Sequence, residues 1–407
     1  MYSSIQTKME NLNKEKKIIF SITLLYILSL FISKFGISLF GGILAIYSIY
    51  YFFKNDKPKD FILPFFILIL GLILQCFSLG GFKSFIIFSY KNYFLLILPL
   101  VPILLKDIKE NYIVNTVASS LFIGILKSFY NFYKDYNLQY SSSIRVDSFF
   151  DIMRWGIILV MGLLIILPYL NKKRIFLWIV FFLGIISLAL NNSRGPILSL
   201  ILGIIIFIIL KKKIKLGIGI LVVLISAFFI LKSTNVLNQF SDRMESINNT
   251  KSGGNAARIF MWKKGMSFMT DSLKENKKIF FFGTGINNRK KIFEKYLIEN
   301  TDYKELNDDV KVAVSFDDSH NAYINMFVQT GFIFTIIYYI MLSYYTIIVF
   351  INYFKYKHNY TLSSLLPLIA FYFCGIFYGY SFTYETFTFF FILGIGLIKN
   401  DLSDERG

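Results

Sequence analysis

Only two cysteines and two histidines occur in 407 residues. Cys76 and Cys374 both lie in apolar runs, which argues against a disulfide framework and against a thiolate zinc site. No cluster of histidine, cysteine, aspartate and glutamate shows metal-ligand spacing, and neither paired carboxylates nor a Ser-His-Asp order stands out. Any reaction is therefore expected to be independent of metal, and no cofactor is implied. Acidic residues are also scarce, 25 against 43 basic ones. The centres of the apolar runs are nearly free of them and no internal repeat is visible, which counts against a transporter built on paired repeats and mid-membrane ionisable groups. The first apolar run lacks a small-residue cleavage site and is followed at once by another, so no cleavable signal peptide is expected.

Apolar surface is what the chain has in abundance. Hydrophobic residues make up 55%, aromatic ones 19%, and the mean hydropathy is +0.57 with a formal net charge of +18. Soluble domains are not this apolar. Runs of about 15 to 22 apolar residues recur, each long enough to cross ~30 Å of hydrocarbon as a helix. The fold class is all-α: a polytopic integral membrane protein of about twelve transmembrane helices, with the bilayer as its partner. The spans read as 18–33, 36–53, 61–79, 85–105, 111–130, 152–170, 175–190, 196–210, 214–231, 321–350, 361–381 and 385–398. The fourth is interrupted by Ser89, Tyr90, Lys91 and Asn92, and the tenth is long enough to tilt or to begin outside the bilayer. Basic residues are scattered between spans rather than gathered in one domain, so membrane topology explains them and nucleic acid does not.

Orientation follows from where those charges fall. With the N-terminus inside, the inner segments carry twenty Lys and Arg, whereas the short outer turns carry Lys34, Lys83, Lys134, Arg145 and Arg194. This bias makes both termini cytoplasmic. Three parts result: nine helices over 1–231, a large outer loop over 232–320, and three helices with a short cytoplasmic tail over 321–407. A structureless loop of that length is unusual. "NAARIFMWKKGMSFMTDSL" has Ile259, Trp262, Met266 and Met269 at helical spacing and reads as an interfacial helix.

Three residues could carry chemistry. Arg194 lies in "NNSRGP" between two apolar runs, and Pro196 suits the first turn of the helix that follows. A guanidinium beside a helix N-terminus attracts an anion such as phosphate. An arginine snorkelling to outer headgroups would look the same. His320 follows Asp317, Asp318 and Ser319, which look like helix-start residues. Its imidazole could take a proton from a hydroxyl, or merely cap the helix or anchor it at the interface. His358 lies in a basic inner connection, where a solvated role suffices. Arg258 stands one turn before Trp262 in the loop helix, where an arginine is commonly a solvated charge. Gly283 and Gly285 in "FFFGTGINN" lack the lysine and nucleotide-fold context of a phosphate loop, and read as a turn after a helix.

In their order these segments resemble the O-antigen ligase and polymerase superfamily. "NSRGP", "ARIFMW", "FGTGINN" and "SHNAYINMFVQTG" correspond to that family's Ser/Thr-Arg-Gly/Ala, Arg-x-x-x-Trp/Tyr, Gly-x-Gly and His-Asn motifs, over roughly residues 140–350. Gln329 stands where many members have glutamate. The resemblance implies a glycosyltransferase at the periplasmic face of the bacterial inner membrane. Its donor would be a glycan on undecaprenyl diphosphate, and its acceptor either a lipid A-core sugar or another lipid-linked repeat. By the same resemblance His320 is the base and Arg194 and Arg258 clamp the diphosphate. Asn321 is a weaker candidate by adjacency to His320, as are Arg145 and Arg243, which face the same side. The layout is closer to the ligases, with one long late loop and "SIRVDSF" ahead of the sixth span.

Overall fold

A computed structural model describes residues 14–106, 108–138, 145–212, 217–220, 226, 253–301, 319–379 and 382–398. Among these residues the chain is helical and contains no strand. The helices are α1 (Lys14–Ile32), α2 (Lys34–Lys54), α3 (Lys59–Phe77), α4 (Gly81–Asn92), α5 (Phe94–Ile97), α6 (Leu100–Leu105), α7 (Glu110–Leu138) and α8 (Ile152–Ile166). They continue with α9 (Ile175–Asn191), α10 (Arg194–Lys211), α11 (Gly253–Glu275), α12 (Lys277–Phe282), α13 (Arg289–Glu299), α14 (Ala322–Tyr356), α15 (Asn359–Gly375) and α16 (Tyr384–Gly396).

Among the described residues, seven helical segments are long and apolar enough to cross a membrane: Lys34–Lys54, Lys59–Phe77, Gly81–Leu105, Glu110–Asp135, Ile152–Tyr169, Arg194–Lys211 and Ala322–Tyr356. Three shorter apolar helices, Lys17–Ile32, Ile175–Asn191 and Tyr384–Gly396, accompany them. The protein is a multi-pass membrane protein. The expected ninth span, 214–231, lies largely outside the described residues. The fourth span forms as the three pieces α4, α5 and α6, the first of which ends at Asn92, where the polar interruption stands.

α8 sits at the centre. Its residues Trp155 to Ile166 are all buried, with α7, α9, α10 and α15 packed around them. A helix apolar on every side belongs inside a bundle. In lipid, apolar burial does not drive helices together, so packing and polar ties decide the neighbours. Trp155 Nε1 donates to Ser187 Oγ of α9 at 3.3 Å, and Ser187 Oγ donates to Ser128 Oγ of α7 at 3.0 Å. In the short chain between α7 and α8, Arg145 to Asp151, Val146 is fastened to α9, because Asn191 Nδ2 donates to the carbonyls of Val146 and Ile152 at 2.8 and 2.7 Å.

The loop helices make a second small core on α14. Ala257, Met261 and Phe268 of α11 meet Phe293 and Leu297 of α13 and Ile324 and Val328 of α14. Tyr296 donates to Asp271 at 2.5 Å and ties α13 to α11. Burial first, and then that carboxylate, hold the Tyr296 phenol above its usual pKa. The expected helix over this stretch is present; it packs on the protein through Ala257, Met261, Gly265 and Phe268, while Met266, one of the residues read as its apolar spacing, is 55% exposed. Small residues explain the difference. A Cβ on Gly265 would lie 2.6 Å from Ile324, so α11 packs on α14 through the side that hydropathy weighs least.

The long tenth span is two helices. α14 breaks at Gly331, whose φ of 75° and ψ of 176° suit glycine almost alone. The cause is the turn after α12. Thr284 N and Gly285 N donate to the carbonyls of Val328 and Gln329 at 2.9 and 3.0 Å, taking acceptors that a continuous helix would use. Gly283 and Gly331 are in backbone contact, since a Cβ on Gly331 would lie 2.5 Å from Gly283 N. Gly331→Ala is expected to lower stability by about 1–3 kcal/mol, read as a lower melting temperature of the purified protein in detergent. Gly42→Ala, inside α2 where a Cβ meets nothing within 4 Å, serves as the control and should hold or slightly raise it. Equal melting temperatures for the two variants would refute the backbone-contact account.

Candidate functional site

The Arg194 seam is built by two helix ends. α9 stops at Asn192, which takes the left-handed conformation with its N–H on the Leu188 and Ala189 carbonyls, and α10 begins at Arg194 after the extended Ser193. Pro196 falls in the first turn of α10, as expected. Ser193 does not cap that helix with its side chain, because its Oγ accepts from Arg145 Nη2 at 2.9 Å. Arg145 is thereby brought to the seam. Arg194 Nη1 donates to Asn255 Oδ1 at 3.4 Å, which joins α10 to the start of α11.

Along α11 the residues Asn255, Arg258 and Trp262 recur at three- and four-residue spacing, so they share one face over about 10 Å. Asn255 meets Arg194, and Trp262 Nε1 donates to the His320 carbonyl at 3.4 Å. Arg258 is half-buried between them, and Tyr378 lies within electrostatic reach of Arg258 and Arg145.

His320 holds the backbone at φ 51°, a conformation uncommon for a residue with a side chain. Its neighbours impose it. Asn321 caps α14, its Oδ1 accepting from Tyr323 N and Ile324 N at 3.0 and 3.1 Å, and its Nδ2 donates to the Ile376 carbonyl at 3.2 Å. Ser319 Oγ donates to Asn325 Oδ1 at 2.7 Å, and Asn325 Nδ2 donates to the Gly379 carbonyl at 3.1 Å. The cap on α14 is therefore Asn321; Asp317 and Asp318 lie outside the described residues. Both polar ends of the Asn321 side chain are engaged in holding the turn that carries His320.

Arg145, Arg194, Arg258, His320 and Asn321 are thus brought to one place, and Arg243 lies outside the described residues. The hub of the place was missed by hydropathy. Residues 376–379, counted within an apolar run from 361 to 381, form the turn after α15, which ends at Gly375. Tyr378 reaches the seam: a Cβ on Gly195 would lie 2.5 Å from its ring. Phe377 lies 6.4 Å from Trp262, ring centre to ring centre. Its only signal is "GIFYGYS", where glycines and tyrosines interrupt aliphatic sequence as "NNSRGP" does. Chemically, three guanidiniums and a helix N-terminus can hold an oxyanion, and the imidazole of a histidine can accept a proton.

Residues 179–339 match the family model described as O-antigen ligase. The match covers less than half of the chain and supports membership of the O-antigen ligase superfamily. The matched stretch runs from α9 to the middle of α14 and contains Arg194, Arg258, the Gly283–Gly285 turn and His320. Arg145 and Tyr378 lie outside it yet meet residues within it. A comparison with curated proteins finds no match. The likeness is to a family of glycosyltransferase-like membrane enzymes.

Proposed function

We propose that the protein is an O-antigen ligase: it transfers a glycan from undecaprenyl diphosphate to a lipid A-core acceptor at the periplasmic face of the inner membrane. The observation that carries this reading is the convergence of Arg194, Arg258 and His320, three residues far apart in sequence, around one face of α11. Arg194 and Arg258 clamp the donor diphosphate, with Arg145 beside them on Ser193. The forked, always charged guanidinium suits a diphosphate better than a point charge does. His320 is the general base. As the acceptor oxygen forms its bond to the anomeric carbon, its proton passes to the imidazole. The bond from that carbon to the diphosphate oxygen breaks, and the electron pair leaves with the diphosphate, onto the arginines. Attack opposite the leaving group inverts the anomeric configuration, and the guanidiniums supply the charge that a metal supplies in other transferases. Both termini are placed in the cytoplasm by the basic bias of the inner segments, which leaves 232–320 as the periplasmic loop.

A polymerase extending lipid-linked repeats is the second reading, since the shared motifs do not read the acceptor. The family description and the ligase-like layout favour the first. Purified protein given lipid-linked glycan should transfer it only when lipid A-core is added. Lengthening of the glycan without lipid A-core would refute the ligase and establish the polymerase.

A further inference from the structure

An open groove of about 620 Å³ lies between α7 and the chain entering α9. α9 runs 17 residues from this groove to the Arg194 seam, so roughly 25 Å separates it from the candidate site and the two lie at opposite ends of the bundle. Lys173 and Arg174 stand at its mouth. The Arg174 guanidinium lies 5.6 Å from the centre of the Tyr169 ring and donates to the Asn111 side chain. Tyr169 in turn donates to Glu110 Oε2 at 3.0 Å, so Arg174 rests on a braced support.

The wall of the groove has an order of its own. Asn111, Asn115 and Ser119 follow one another at four-residue spacing on α7, spanning about 12 Å of one stripe. Asn111 and Ser119 are exposed and Asn115 is half-buried. Outward-facing amides and hydroxyls on a membrane helix are costly unless something meets them. Further along the same stripe the residues turn apolar: Phe122, which lies 6.0 Å from Phe176 of α9 ring to ring, and then the exposed Leu126. Cation, then amide and hydroxyl, then hydrocarbon is the order of a phospholipid from phosphate through ester oxygens to acyl chain.

We propose that this groove binds one anionic phospholipid of the leaflet opposite the candidate site. Its phosphate lies on Lys173 and Arg174, its glycerol ester oxygens accept from Asn115 and Ser119, and an acyl chain follows Phe122 and Phe176. The cations exclude a zwitterionic headgroup, whose amine would face Lys173 and Arg174 while Glu110 is engaged with Tyr169. Free phosphate would meet the cations and leave the polar stripe in hydrocarbon.

The test uses the purified full chain in neutral detergent, titrated with phosphatidylglycerol or phosphatidylcholine and read by native mass spectrometry and melting temperature. Phosphatidylglycerol should saturate at one per chain and raise the melting temperature; phosphatidylcholine should do neither. Lys173→Gln with Arg174→Gln should weaken phosphatidylglycerol roughly thirtyfold, the loss expected for two cations near a membrane surface. Asn115→Leu with Ser119→Leu keeps both cations and should also weaken it, with the lipid-free melting temperature preserved. Undiminished binding by that second variant would mean diffuse surface attraction and overturn the proposal. Equal binding of the two lipids, or displacement by inorganic phosphate, would overturn it too.

Discussion

Replacing His320 by alanine is expected to reduce glycan transfer about 10²-fold or more, the usual contribution of a positioned general base. The structure makes the site of this loss narrow. His320 is held at φ 51° by Asn321 and by the Trp262 bond to its carbonyl, and neither tie involves the imidazole. Alanine at this position keeps both, so the turn should survive and the protein should accumulate normally. Two readouts check the expectation: transfer by purified protein, and the amount of surface polysaccharide in cells at matched protein level. An unchanged amount at normal level would sink the base assignment.

Arg194→Lys should come close in severity even though the charge is kept. Removing one charge-stabilising donor costs about 10²-fold or more in rate. Lysine retains attraction but not the planar fork that bridges a diphosphate. At this position the fork has a second task, since Nη1 also reaches Asn255 and holds α11 to the seam. The useful measurement separates kcat from the KM for the lipid-linked donor. A fall in kcat marks stabilisation of the leaving diphosphate, whereas a rise in KM alone marks simple binding. Wild-type kinetics in the lysine variant would remove Arg194 from the clamp.

Much of this site was readable before folding because each key residue breaks a local pattern. An arginine between two apolar runs and a histidine where histidine is rare are visible in any window. The residues that were not readable conform to their surroundings. Tyr378 sits among aromatic residues that hydropathy counts as membrane, and only the Gly195 contact draws its ring to the seam. Asp317, Asp318 and Ser319 looked like the helix start. The turn geometry instead gives the cap to Asn321.

The packing of the loop helix and the break in the tenth span were not readable for a related reason. Amphipathic spacing ranks large apolar residues first, so Ile259, Trp262, Met266 and Met269 read as the apolar face of an interfacial helix. α11 instead approaches α14 through Ala257 and Gly265, because small residues allow close packing. The break at Gly331 has no local cause either. It exists because the Thr284–Gly285 turn, more than forty residues earlier, takes the carbonyls of Val328 and Gln329.

The sequence alone determined that the chain crosses a membrane as helices, because in hydrocarbon every backbone group must be satisfied within its own segment and long apolar runs leave no other choice. It also carried the family resemblance, since the motifs keep their order along the chain and residues 179–339 match that family's model. Tertiary structure alone decided which residues share a site, where α14 breaks and which face of α11 is inward. These depend on contacts between distant segments, where a backbone carbonyl or the missing Cβ of a glycine counts as much as any side chain.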